Sequence, residues 1–484
     1  MIRKFFLVCC CFSMITQLTW REKAAEAAET TSQQRLSPLS LSQCIDIALE
    51  QNHKHRISKL AVDTAEYQHR QALSAFWPQM TFDVAYNRQD EDVNFIFPEN
   101  TYGYNITLPP SMGGATISGE TAAAEQDITV MDRESVVSSL NVTYPLFTGG
   151  LRSSAVKAAE SNVKAAVHAL RRTELELVRD VQRIYYGAVL ARRLADIGEK
   201  TLIRFQTTTD LTERLYKGGS GSVTRLDYLR SLVVLESARS IIERLKSNVA
   251  LSTAALVNTM GLQWDTPLTL AETSIPFVAL DADVDKLLAD TYRFNPDWKR
   301  LAAGLDAAQA LVNKERSAHW PKVALSGKLW RWDNDLDGEG LVTDENAEGW
   351  SVGVGLQMPL FTGFMATNKI LESKARLKKM ESRRILLKEG LALQVQHSVI
   401  RMDRSQKIRE ASINAAGHAK EHRKLAVRAY MNELIPTEAV IESQIVEAFT
   451  RARLEMAQYE TALARFDIDF VVGKEVQKLL KEAN

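Results

Sequence analysis

Tyr144-Pro145-Leu146-Phe147-Thr148-Gly149 and Met358-Pro359-Leu360-Phe361-Thr362-Gly363 are two copies of one stretch, 214 positions apart, and each divides two kinds of sequence. Ahead of the second copy, Trp350, Val352, Val354, Leu356 and Met358 alternate with Ser351, Gly353, Gly355 and Gln357. A two-residue period is the period of a strand with two unlike faces. Beyond it the apolar residues step by three and four, as Leu387, Leu391, Val395, Val399 and Met402 do among Lys, Arg, Glu and Gln. That is the period of a helix with one apolar stripe.

Working outward, the duplication continues with a second offset. Asn52 and Trp77-Pro78 recur at Asn295 and Trp320-Pro321, 243 positions later, whereas Tyr216 recurs at Tyr430 with the offset of 214. Each half therefore has a helical opening, two strands joined by a loop of variable length, and about 67 residues without insertion or deletion. Phe82, Val84 and Tyr86, then Leu140, Val142 and Tyr144, mark the first pair of strands; Val323, Leu325 and Leu329 precede the fourth. The joining loops span about 48 residues, Asn87 to Glu134, and about 17, Asp333 to Gly349.

Residues 364–430 contain no proline, so a continuous helix there would be roughly 100 Å long at 1.5 Å per residue. Such lengths belong to coiled coils. Reversals are expected at Lys217-Gly218-Gly219-Ser220-Gly221 and Met431-Asn432-Glu433-Leu434-Ile435-Pro436, with return helices over Val223–Met260 and Thr437–Val472. Gly261 and Gly473 are placed to stop them. At the opening, Ser40-x-x-Gln43 has the form of a capping box, and Pro78 ends the first helical stretch. The resulting divisions are a first repeat over 40–261, a linker over 262–282, a second repeat over 283–473 and a tail over 474–484.

With 60 basic and 60 acidic residues in 484, nothing in the balance favours nucleic acid. Arg3, Lys4 and the apolar run from Phe5 to about Ile15 read as a secretory signal within residues 1–27. Ala25-Glu26-Ala27 is one candidate cleavage site, and Leu7-Val8-Cys9-Cys10 loosely resembles a lipoprotein box. Cys9, Cys10 and Cys11 fall in the signal, leaving Cys44 alone and no disulfide framework. No later stretch is long and apolar enough for a transmembrane helix. An exported chain of this kind is soluble or crosses a membrane as a β-barrel, and an apolar face backed by a small or polar one suits a barrel wall. Four strands cannot close a barrel, so more than one chain is required; two would supply eight strands and three would supply twelve.

The chain resembles the TolC-like outer-membrane efflux family. The matching residues are Leu41-Ser42-x-x-Ile45-x-x-Ala48-Leu49, Trp77-Pro78-Gln79, the two Pro-Leu-Phe-Thr-Gly copies, Arg225-Leu226-Asp227-x-Leu229, Asn258-x-Met260-Gly261-Leu262 and Val472-Gly473. The resemblance implies a mainly helical protein with a four-stranded contribution to a twelve-stranded transmembrane β-barrel. It implies a homotrimer in outer-membrane lipid whose long hairpins form a periplasmic α-barrel. Its expected partners are a periplasmic adaptor and a proton-driven or ATP-driven inner-membrane pump, and its expected role is a passive exit duct for small molecules or proteins. A periplasmic coiled-coil or adaptor-like protein without a barrel is the alternative, and the duplicated alternating strands weigh against it.

No catalytic constellation, cofactor motif or metal set emerges. His418 and His422 lie one turn apart, but Lys420, Arg423 and Lys424 surround them and oppose a cation. The acidic run from Asp333 to Gly340 lacks the spacing of a helix-loop-helix calcium site. The glycine-rich turns lack the Lys-Ser/Thr of a phosphate loop. Candidate residues instead gather at the hairpin tips. By resemblance to acidic positions just past the tip turns of relatives, Asp227 and Glu442 are candidates for a channel constriction, with Arg230 standing where a second acid is often found. Gly218, Gly219, Gly221 and Val223, with Leu434, Ile435 and Pro436, are expected to be exposed and to dock an adaptor. An apolar pair at a solvent-facing reversal suggests a covered surface.

Overall fold

The computed structural model describes residues 38–131, 133–277, 279, 283–334 and 348–474, so the signal, most of the acidic loop after β7 and most of the tail lie outside the described residues. The elements in chain order are α1 (Leu41–Gln51), α2 (His53–Ser74), β1 (Gln79–Arg88), β2 (Val93–Phe97), β3 (Asn100–Thr107), β4 (Thr116–Ala123), β5 (Gln126–Met131), β6 (Glu134–Phe147), α3 (Leu151–Lys217) and α4 (Arg225–Met260). The second repeat adds α5 (Val284–Phe294), α6 (Pro296–Arg316), β7 (Lys322–Asn334), β8 (Glu348–Gln357), α7 (Met365–Met431) and α8 (Thr437–Val472). Two compact units result, one over 63–166 and 301–384, the other over 1–62, 167–300 and 385–484.

The first of these carries an antiparallel four-stranded sheet in the order β1-β6-β7-β8. Its register aligns the alternation read from the sequence across all four strands. Phe82, Leu140, Leu329 and Trp350 form one row, and Met80, Val142, Gly327 and Val352 form the next on the same face. On the opposite face Thr81, Asn141, Lys328 and Ser351 make a row, beside Gln79, Thr143, Ser326 and Gly353. The apolar face is exposed, with Trp350, Val352, Val354 and Leu356 each about two-thirds open or more. Among the described residues the outer edges of β1 and β8 pair with nothing.

The stretch between β1 and β6, expected as a long loop of variable length, contains four further strands. β2 pairs with β5 and β3 with β4, continuing the hairpin outward from the β1–β6 pair. Phe95↔Ile128 and Tyr104↔Gly119 show the nested register. Short ladders interrupted at Pro98-Glu99 hide this arm from a search for long alternation, and Gly103 and Gly119 thin the pattern further. Tyr104 lies over Gly119, where an added Cβ would fall 2.4 Å from the phenol oxygen.

In the second unit each return helix is gripped by the short helix that opens its own repeat. Cys44, Ile45 and Ala48 of α1 pack with Val181 and Tyr185 of α3 and Leu256 and Met260 of α4. Leu287 of α5 packs with Val395 and Met402 of α7 and Ile468 and Phe470 of α8. Ser40 closes the expected capping box on Gln43. The interrepeat linker is anchored rather than free: Leu39 N–H donates to Thr269 at 2.9 Å, and Ala271 N–H returns a bond to Leu39 at 3.0 Å. Tyr185 adds a hydroxyl bond to the Leu39 carbonyl at 3.0 Å.

Asn52 and Asn295 are the same device twice. The Asn52 amide donates to the Thr259 carbonyl at 2.8 Å, while its oxygen accepts from Lys54 N–H at 2.8 Å and His55 N–H at 3.3 Å. Asn295 donates to Val471 at 2.8 Å and accepts from Asp297 and Trp298 at 2.9 and 3.2 Å. Each thereby caps the start of a helix and binds the last turn of the return helix. Gly261 (φ 78°) and Gly473 (φ 79°) end those helices as expected, and a Cβ on Gly261 would collide with the Gln51 carbonyl at 2.6 Å.

Candidate functional site

α3 and α7 are each 67 residues long and end in equivalent turns. At the first tip Gly218 N–H donates to Arg214 and Ser220 N–H reaches back to Leu215, with Gly219 left-handed at φ 76°. At the second, Asn432 N–H donates to Arg428 and Leu434 N–H to Ala429, with Glu433 left-handed at φ 61°. Gly219 and Glu433 are the same position under the offset of 214. This hydrogen-bonded closure favours glycine, and a non-glycine residue there costs about 1–2 kcal/mol.

The Glu433 side chain offsets that cost by crossing to the first tip. Its carboxylate accepts from Ser222 Oγ at 2.7 Å and Ser220 Oγ at 2.9 Å. Those two hydroxyls hold its carboxyl below the ordinary glutamate range. Tyr430 OH lies 2.7 Å from Thr212 Oγ1 and 3.0 Å from Thr437 Oγ1, all three residues being buried. Arg230 pairs with Glu438 at 2.7 Å. Further from the tips, Glu447 is only 1% exposed and is met by Arg204 at 2.8 Å, Arg451 at 3.7 Å and Arg423 in direct contact. Burial draws the Arg204 pKa down, opposed by the Glu447 charge. The hairpins thus meet through a graded polar seam, exposed at Glu433 and fully enclosed at Glu447.

The predicted residues divide within this frame. Gly218, Gly219, Gly221, Leu434 and Pro436 are exposed, Leu434 to 76%, while Ile435 is partly buried. Val223 differs: it is 7% exposed, not solvent-facing. The return helix begins at Arg225 with Thr224 as N-cap, two residues later than expected, so Val223 stands just before the cap, where an apolar residue commonly packs back onto the first turn. Asp227 is the third residue of that helix, and its carboxylate accepts from Thr224 N–H at 3.0 Å and Thr224 Oγ1 at 2.6 Å. These bonds lower its pKa. Glu442 is exposed and forms no ion pair among the described residues.

The structure also resolves the register of the return helices. α4 and α8 are both 36 residues long and begin at Arg225 and Thr437, an offset of 212 rather than 214. Asp227 therefore corresponds to Ala439, and Arg230 corresponds to Glu442. The first tip has two more residues in its turn, which accounts for the change. The crossing bonds of Ser220, Ser222 and Glu433, and the arginines around Glu447, were not legible from a single sequence. The one available signal was an acidic residue at the position where the first repeat has Gly219.

An apolar groove of about 380 Å³ lies higher on the same helices, lined by Ile197 and Phe205 of α3, Ile242 and Leu245 of α4, and Phe449 and Met456 of α8. Among the described residues no cluster of three or more His, Cys, Asp or Glu could hold a metal ion, and no helix is long and apolar enough to cross a membrane.

A family model described as outer membrane efflux protein matches residues 44–262 and 287–474. Protein CyaE of Bordetella pertussis is 26% identical over 247 residues, 51% of this chain and 51% of that protein. The cation efflux system protein CusC of Escherichia coli is 26% identical over 224 residues, 46% of this chain and 47% of its own length. The chain thus spans about half the length of these curated relatives. Among solved structures, a membrane protein from Pseudomonas aeruginosa superposes with a TM-score of 0.72 at 19% identity, covering 90% of this chain and 93% of that one. The Campylobacter jejuni CmeC outer membrane channel gives 0.72 at 14% identity, covering 94% and 93%.

Proposed function

The chain belongs to the outer membrane efflux protein family, and from that premise we propose that it is the outer-membrane exit duct of a tripartite efflux or type I secretion system. The carrying observation is the sheet: four strands with an exposed apolar face, a polar reverse face and two edges unpaired among the described residues. Open edges are not tolerated in lipid, so copies must complete the barrel. Three chains give twelve strands, wide enough for a water-filled lumen. The apolar groove beside the exposed ring of Phe449 supports lateral packing of helices from a neighbouring copy.

In this reading cargo enters at the hairpin tips and crosses passively, driven by an inner-membrane pump. Glu442 is the freer of the two carboxylates to line a constriction, because Asp227 is held by its own helix cap. An acidic ring there would favour cations. Gly218, Gly219, Gly221, Leu434, Ile435 and Pro436 form the docking surface for a periplasmic adaptor. Leu434→Asp with Ile435→Asp tests this. Burying two unpartnered carboxylates in the joint is costly, so trimers on a gel should persist while export by the same cells fails. Normal export would remove the docking role; loss of trimers would place the pair inside the assembly.

A further inference from the structure

The helix-side end of the sheet is distinct in charge from its loop side. The antiparallel order brings the start of β1, the end of β6, the start of β7 and the end of β8 to one edge. An exposed apolar collar marks that edge: Phe76, Trp77, Trp320, Leu360, Phe361 and Phe364. Girdles of aromatic residues sit at membrane–water boundaries. The sequence just beyond it, over 67–78, 148–158, 311–322 and 358–371, contains seven Lys and Arg residues and one acid, Glu315. Arg152 is used internally, donating to the Leu146 and Ala75 carbonyls and lying over the Phe76 ring. Lys314 lies 3.8 Å from Glu315.

Lys322 pairs with Gln357 and so belongs to the polar reverse face. Arg70, Lys157, Arg316 and Lys369 remain exposed, with no ion pair among the described residues. They come from all four crossings. At the loop side the balance reverses. Arg88 pairs with Glu134 at 3.1 Å and Arg331 with Asp333 at 2.9 Å, leaving four acids, Asp90, Glu91, Asp92 and Glu348, against one further cation, Arg133. The chain as a whole is neutral, so this polarity belongs to the sheet and its rims.

We propose that these four exposed cations form a collar that binds the anionic headgroups of phospholipids in the leaflet on the helix side. The inference rests on the barrel reading above. An apolar belt that enters the lipid, followed at once by unpaired cations, matches the order of acyl chains and phosphates. The collar would fix the depth of the barrel in the membrane.

The test reconstitutes the full chain into vesicles of phosphatidylcholine with phosphatidylglycerol and identifies the lipids that co-purify. The expected result is an enrichment of phosphatidylglycerol by about 5-fold or more, the preference one engaged cation supplies. It should fall below about 2-fold in the combined variant Arg70→Gln, Lys157→Gln, Arg316→Gln, Lys369→Gln. It should persist when the same positions exchange Lys for Arg and Arg for Lys. Undiminished enrichment in the glutamine variant overturns the collar. So does a variant that changes only the ion selectivity of the pore, which would assign the cations to the lumen. If the glutamine variant fails to insert, raising salt on the unaltered protein decides: enrichment that falls as salt rises supports the collar, and constant enrichment overturns it. Protein extracted by carbonate from every vesicle overturns the barrel reading and the collar together; inserted protein without enrichment overturns the collar alone.

Discussion

Asn52 and Asn295 show how one residue can serve two elements, since each amide caps the start of one helix and ties down the end of another. Asn295→Ala should leave the Val471 carbonyl and two N–H groups without that partner and cost about 1–3 kcal/mol. Asn52→Ala should behave alike, and thermal unfolding of the detergent-solubilised protein measures both; a loss confined to one would contradict their equivalence. Glu433 is the other instructive residue, a carboxylate in a glycine position held by two serines. Its pKa and that of Asp227 are lowered in the folded protein. Their contribution is therefore present above the ordinary carboxylate range and lost as pH falls through the lowered values. Proteolytic nicking within 218–224 should rise as pH drops from 7 toward about 3, through the ordinary carboxylate pKa and below it. Glu433→Gln with Asp227→Asn should abolish that rise. A rise of equal size in the double variant would separate tip stability from these two groups.

At the scale of elements, the long helices and the strands of the four-stranded sheet were legible because each obeys one period over many residues. The four core strands, the two 67-residue helices and both glycine stops lie where the pattern places them. Two features were hidden for physical reasons. The arm β2–β5 is made of short, polar-interrupted ladders whose partner lies up to 38 residues away, from Val93 to Met131. The offset of 212 in the return helices depends on turn length, and only the cap at Thr224 fixes it. Tip exposure was readable at Leu434 but not at Val223, because its burial follows from being the residue before that cap. The face assignment of β8 carries its own prediction. Val354 lies in the exposed apolar face with Val352, whereas Gly355 belongs to the reverse face. Arg at Val354 should cost about 2–4 kcal/mol per chain near the bilayer midplane and prevent assembly. Arg at Gly355 should assemble and change conductance. Equal trimer yields from the two variants would reverse or remove the faces.

For the whole molecule, the two compact units divide the work between a wall and a seam. The wall is a sheet with an exposed apolar face and two edges that pair with nothing among the described residues. The seam joins the tips through Glu433, Tyr430 and Arg230 and is anchored by Glu447 among three arginines. Removing that buried carboxylate would strand the guanidiniums that depend on it, so the seam is rigid at its base and looser at its exposed rim. The central claim is that the chain spans the outer membrane with the β3–β4 turn outside the cell and the tips in the periplasm. Its most direct test is labelling by a thiol reagent that cannot cross the outer membrane, with single cysteines introduced at Gly113 and at Leu434. Both positions are exposed, and Cys44 is buried, its thiol pushed up to about 12 by desolvation and the Glu272 charge. On intact cells the account predicts labelling at Gly113 and none at Leu434, with Leu434 labelled once the outer membrane is permeabilised. Labelling of Leu434 on intact cells, or failure at Gly113 in folded protein, would contradict it.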